Sequence, residues 1–148
     1  MAGRQTIFRP MPTVITEMPG EEVELNLYFD NENFEPERPG RLECGEVYGV
    51  KRQFSVNDDL MVRLLRDLWA GPNGYEEVSG YWSRIKPESD LPGIVYKDKV
   101  VEVTLDAGWF EGETACDRLT AMNQIRSTLM QLPGVDEVVI EEIYGIGI

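Results

Sequence analysis

Twenty-seven carboxylates and not one histidine set the chemistry open to this chain of 148 residues. Without imidazole there is no His-based triad, no His metal site and no side chain that ordinarily titrates near neutral pH. Two acidic runs carry the remaining options: Asp30, Glu32 and Glu35 in one stretch, Asp106, Glu111 and Glu113 in another. Paired carboxylates can serve as acid and base at a glycosidic bond, and a denser cluster can hold calcium. Neither run has the calcium-loop spacing with its central Gly and terminal Glu, and a solvated acidic surface accounts for both. Gly145-Ile146-Gly147 follows a strand-like run but opens no helix, which is not how a phosphate-binding loop is built. The sequence therefore assigns no catalytic residue, no cofactor and no metal ligand.

Cys44 and Cys116 are the only two cysteines. They form either a disulfide, worth about 4 kcal/mol for a loop of this length if unstrained, or two reduced, buried thiols that pack as small hydrophobes. Among the aromatics, Trp69 closes the apolar face of a helix and belongs to the core. Tyr75, Tyr81, Trp82, Trp109 and Phe110 sit near loops, able to line a groove for a glycan or a peptide, and Tyr81, Trp82, Trp109 and Phe110 form the candidate contact surface. The plainer alternative is packing over a sheet.

These residues have to be positioned by a fold, and composition bounds it. The length favours one domain, which hides roughly 70% of its unfolded surface. Fourteen basic residues against 27 acidic ones leave −13, so nucleic acid and anionic lipid meet a repulsive field. No apolar run approaches the length of a membrane-spanning helix, and residues 1–20 lack the apolar stretch of a secretory signal. With Pro10, Pro12 and Pro19 and no sustained periodicity, residues 1–20 read as a flexible N-terminal arm, and 21–148 as the single domain.

From Glu22 to Phe29 the alternation is plain: Val23, Leu25, Leu27 and Phe29 on one face, Glu22, Glu24, Asn26 and Tyr28 on the other. Asp30 to Arg41 collects turn formers and charges, as a surface loop does. Val47 to Phe54 is a second strand. Asn57 then caps a helix with Asp58 and Asp59 in its first turn and Leu60, Met61, Leu64, Leu65, Leu68 and Trp69 on its apolar face. Gly71-Pro72 stops it. Ile94–Tyr96 and Val100–Leu105 form a hairpin around Lys97 and Asp98. Over Thr114 to Leu132 a longer helix gathers Ala115, Leu119, Met122, Ile125, Leu129 and Leu132 inward, with Thr120, Gln124, Ser127 and Gln131 on the wet side. On that reading Gln124→Ala matters little. Pro133 and Gly134 turn the chain into a last strand through Val138, Val139 and Ile140.

The resulting order, β-β-α-β-β-α-β, predicts an α+β domain: a small mixed sheet with two helices packed on one face.

Several of these stretches resemble the GerM-type sporulation and spore germination domain, or GerMN domain. The run Asn123 to Ile140, NQIRSTLMQLPGVDEVVI, is similar to its helix, Pro-Gly turn and hydrophobic strand. Leu68, Gly71, Pro72, Glu76, Gly80, Ser83 and Ile85 fall where the family pattern wants them. VELNLYFDNENF and CGEVYGVKRQF match its opening strands, with Arg52 at the arginine position and Gly49 where the family has proline. Asp106 to Phe110 stands where the family has Asp-Leu-Ser and an aromatic. The likeness covers Glu22 to about Ile143. Tyr144 to Ile148 departs from the family's Asp-Gly turn.

The resemblance implies a fold akin to ring-building motifs, and a non-catalytic binding or assembly module of the bacterial cell envelope. Its partners would be envelope proteins, further copies of itself or peptidoglycan. It also implies the Cys44–Cys116 bridge, because some members carry a cysteine before each of these two elements, and a bridge places the protein outside the cytoplasm. Lipoprotein-like anchoring in a full-length form is implied too. If the 148 residues are the complete native chain, the expectation is cytoplasmic. Two rival readings are a carboxylate-dependent hydrolase of cell-wall glycans, which needs two acids with perturbed pKa values in one cleft, and a small-ligand sensor, which needs an apolar pocket.

Overall fold

The computed structural model describes residues 21–34 and 44–143. The expected arm over 1–20, the surface loop beyond Phe34 with Glu35, and Tyr144 to Ile148 lie outside the described residues.

Strand β1 (Glu22–Asn31) pairs antiparallel with β2 (Tyr48–Ser55), Val23 opposite Phe54 and Leu27 opposite Val50. Its alternation sends Leu25, Leu27 and Phe29 into the core. Helix α1 (Leu60–Ala70) buries all six apolar residues that the spacing selects: Leu60, Met61, Leu64, Leu65, Leu68 and Trp69. Its start differs from expectation. Asp59 is the N-cap residue, Asp58 and Asp59 precede the helix, and the Asn57 side chain accepts the Asp59 N–H at 3.0 Å in a turn leading in. Gly71, at φ +89°, ends it in the left-handed region that favours glycine.

Two short elements follow that apolar spacing does not mark. Helix α2 (Gly74–Val78) is fixed by a capping box, in which Asn73 accepts the Glu76 N–H and Glu76 accepts the Asn73 N–H. Strand β3 (Tyr81–Trp82) pairs with the end of β1. Then β4 (Gly93–Lys97) and β5 (Val100–Asp106) form the hairpin. Its turn is Asp98-Lys99, both at positive φ, so it sits one residue later than read. Helix α3 (Ala115–Met130) opens on a Thr114–Asp117 capping box, and β6 (Glu137–Ile143) lies parallel to β5.

The α+β class stands, with the strands shared between two three-stranded sheets, β2-β1-β3 and β4-β5-β6, in place of one. Helix α1 packs on β1, β2 and α3, while α3 also touches β6, so one core joins the two sheets.

The inward face of α3 is the main correction. Ile125, Leu129 and the following Leu132 are buried and Met122 packs against the core, as the spacing predicts, but Ala115 and Leu119 are exposed. Thr120 and Gln124, from the side read as wet, are buried together with Thr128, Gln124 and Thr128 completely. The reason is an unfinished strand edge. Strand β3 pairs only with Asp30 and Asn31 of β1. Beyond it, α3 lays polar side chains along the same edge. Tyr28 N–H donates to Thr128 Oγ1 at 3.2 Å, and Asn26 N–H to Gln131 Oε1 at 2.8 Å, while Gln131 Nε2 donates back to the Asn26 carbonyl at 2.6 Å. A buried backbone group must be paired, and here side chains at helical spacing substitute for a neighbouring strand.

Candidate functional site

Two ionic networks organise the polar interior. In the first, Arg52 of β2 meets Glu76 of α2 in a bidentate pair, Nε to Oε2 at 2.9 Å and Nη2 to Oε1 at 2.7 Å. Arg52 Nη2 also reaches the Gly71 carbonyl at 3.4 Å. The fork of Arg matches a carboxylate, and the same carboxylate closes the α2 capping box, so one group ties strand, helix end and short helix together. Burial alone would raise the Glu76 pKa. The Arg52 hydrogen bonds, the Asn73 N–H and the Arg52 charge outweigh it and hold the carboxyl below its usual value. The Glu76 hydrogen bond correspondingly raises Arg52. The sequence offered Arg52, Gly71 and Glu76 as three separate matches; the fold makes them one contact.

The second network centres on Arg84. Its guanidinium donates to Asp30 Oδ2 at 3.2 Å, pairs with Asp117 Oδ1 at 3.0 Å and lies 4.3 Å from the Trp82 ring centroid. Its backbone N–H donates to Gln124 Oε1 at 2.9 Å, and Gln124 Nε2 donates to Ser83 Oγ at 3.0 Å. Asp117 is a capping residue as well: its Oδ2 accepts the Glu113 and Thr114 N–H groups at 3.0 and 3.3 Å. Desolvation pushes its pKa up, but those backbone bonds and the Arg84 charge win and lower it. Gly80 belongs to the same corner. It adopts φ +98°, and a Cβ there would stand 2.5 Å from Asn33 Nδ2 and 2.7 Å from Asn31 Oδ1.

The candidate residues from sequence are placed as follows. Trp109 is 1% exposed, with its indole N–H donated to Glu142 Oε2 at 2.6 Å; it is a core side chain and leaves the contact set. Phe110 and Tyr81 are half-buried against the core, and half-buried Trp82 carries Arg84 on its ring. Trp69 is core, donating to Ser89 Oγ at 3.1 Å. Cys44 and Cys116, both exposed, are joined by a disulfide with Cα atoms 5.4 Å apart. Asp30 is buried and paired, whereas Glu32, Asp106, Glu111 and Glu113 face solvent. Among the described residues no group of three or more His, Cys, Asp or Glu could hold a metal ion. No described helix is long and apolar enough to cross a membrane.

The outward features are different in kind. Tyr75 and Val78 project from α2, which its capping box and Arg52 hold in place. The second sheet ends in two strands, β4 and β6, with Val95, Val139 and Ile143 exposed. Sequence reasoning missed α2, though Asn73 and Glu76 stand at capping-box spacing and could have signalled it.

A model of the Germane family, described as sporulation and spore germination, matches residues 26–142. No curated protein matches. Among solved structures the chain is similar to a protein described as a lipoprotein from Clostridium perfringens, at 19% identity over 82% of this chain and 74% of that one, with a TM-score of 0.49. It is similar also to the tandem GerMN domains of the sporulation protein GerM from Bacillus subtilis, at 17% identity over 88% of this chain, 42% of that one, and a TM-score of 0.49.

Proposed function

The chain belongs to the Germane family of sporulation and spore germination domains, and from that premise we propose that it is a non-catalytic binding and assembly module of the bacterial cell envelope. The observation that carries this reading is how the interior polar groups are used. Arg52 with Glu76, and Arg84 with Asp30 and Asp117, spend their hydrogen bonds tying elements together, while strand edges and apolar side chains stand outward among the solvated carboxylates. A general acid needs a carboxyl pKa pushed up toward neutrality, and Glu76 and Asp117 are both pushed down. Its partners are envelope proteins or further copies of the chain.

An envelope location is supported by the family and by the disulfide, since a bridge between two exposed cysteines persists in an oxidising compartment. The test is incubation of the purified chain with peptidoglycan fragments, with no turnover expected. Turnover that disappears on replacing a single carboxylate would overturn the non-catalytic reading.

A further inference from the structure

Resting on that reading of an assembly module, we infer that the second sheet continues from one copy into the next, β6 of one copy pairing antiparallel with β4 of another. The direction follows from topology. Strand β4 runs antiparallel to β5 and β6 runs parallel to it, so setting two copies side by side in the same orientation brings β6 against an oppositely directed β4. Among the described residues both strands are outer strands of their sheet, and an outer strand offers a row of N–H and C=O groups to pair.

The backbone registers agree. Glu137 N–H donates to the Lys99 carbonyl at 3.3 Å, so alternate residues Glu137, Val139 and Glu141 bond toward β5. Val138 and Ile140 therefore turn their backbone groups to the open side. The two-residue turn Asp98-Lys99 closes on the Lys97–Val100 pair, which leaves the Ile94 and Tyr96 groups facing outward from β4. Ile140 opposite Ile94 and Val138 opposite Tyr96 are then hydrogen-bonded pairs.

The side chains agree in the same register. Val95, Glu102 and Val139 already form one row across the sheet, as do Lys97, Val100 and Glu137. Continuing those rows sets exposed Val139 (41%) beside exposed Val95 (53%) of the next copy. It also sets Glu137 beside Lys97, opposite charges directly across, and Glu141 beside Gly93, where no side chain collides. On the inner face Ile140 meets Ile94. A slip of one residue would lose the hydrogen bonds, the apolar match and the charge match together. The contact is head-to-tail, so every open oligomer keeps one free β4 and one free β6, and only a ring would use both.

The experiment uses the whole chain in two single-cysteine additions, Val95→Cys and Val139→Cys, each retaining the native disulfide. Under mild oxidation the mixture is expected to yield a covalent dimer and neither variant alone to do so. In sedimentation, Lys97→Glu is expected to weaken self-association about tenfold, and Glu137→Lys added to the same chain to restore it. Equal crosslinking in the unmixed variants, or no loss on charge reversal, would overturn the pairing. A strict monomer at every concentration and salt would also overturn it, while leaving the non-catalytic module intact, which only turnover removes.

Discussion

Gln124 carries a larger share of the stability than its residue type suggests. It is fully buried, accepts the Arg84 N–H and donates to Ser83 Oγ, and so joins α3 to the segment after β3. Gln124→Ala leaves the N–H of half-buried Arg84 without its acceptor, and urea unfolding is expected to show a loss of about 1–3 kcal/mol; a loss under half a kilocalorie would mean that water takes its place. Glu76 sets part of the pH dependence. Its folded pKa lies below the ordinary 4.5, so its contribution is complete above that value and is lost as pH falls through the folded pKa. Asp117 acts in the same direction from its ordinary 3.8. Arg52 is raised and stays charged across the whole accessible range, so it adds no slope of its own. Unfolding midpoints are therefore expected to fall on the acid side, and Glu76→Gln to flatten that fall while lowering stability at neutral pH. An acid limb unchanged in the variant would place the titration elsewhere.

The elements differ in how openly the sequence declared them, and α3 shows why. For β1 and α1 a single partner surface covers one face, so apolar spacing and burial coincide, and both were legible. Helix α3 must satisfy a core and also an unpaired strand edge, so Thr128 and Gln131 are selected for hydrogen bonds where hydrophobic spacing would place the wet side. Nothing local to α3 signals the strand it serves, which lies about a hundred residues earlier in the chain. Strand β3, two residues long, and Trp109, whose partner Glu142 comes 33 residues later, were hidden for the same reason. The pairing of Arg52 with Glu76 was equally invisible, although both residues had been singled out. The edge-sealing role has its own measurement. With Gln131→Ala the Asn26 amide loses its acceptor, and its hydrogen exchange is expected to accelerate by more than that of Leu27, which lies on the β2 side. Uniform acceleration across β1 would mean that the substitution loosens the whole sheet instead.

At the scale of the whole molecule, the formal charge of −13 opposes compaction. Folding draws these charges into a body with a radius of gyration of roughly 15 Å. At about 0.01 M salt the screening length is near 30 Å, so every carboxylate feels the rest; at about 0.1 M it is near 10 Å and only neighbours count. The ion pairs that hold the fold respond differently. Arg52–Glu76 and Arg84 with Asp30 and Asp117 are partly buried and in direct contact, where salt screens little. Among the described pairs Arg118–Glu142 is one-sided: Arg118 keeps 45% of its side chain exposed, while Glu142 keeps 6% and also accepts the Trp109 indole N–H, so salt weakens that pair only from the Arg118 side. Relief of the long-range repulsion therefore outweighs the loss. The melting temperature is expected to rise as sodium chloride increases across this range, by roughly 3–4 °C for each kcal/mol gained. Sodium chloride is the appropriate salt, because sulfate would also stabilise through exclusion from the surface. A melting temperature that falls with salt would show that the local pairs outweigh the overall field, and that the acidic surface does not set the stability of this domain.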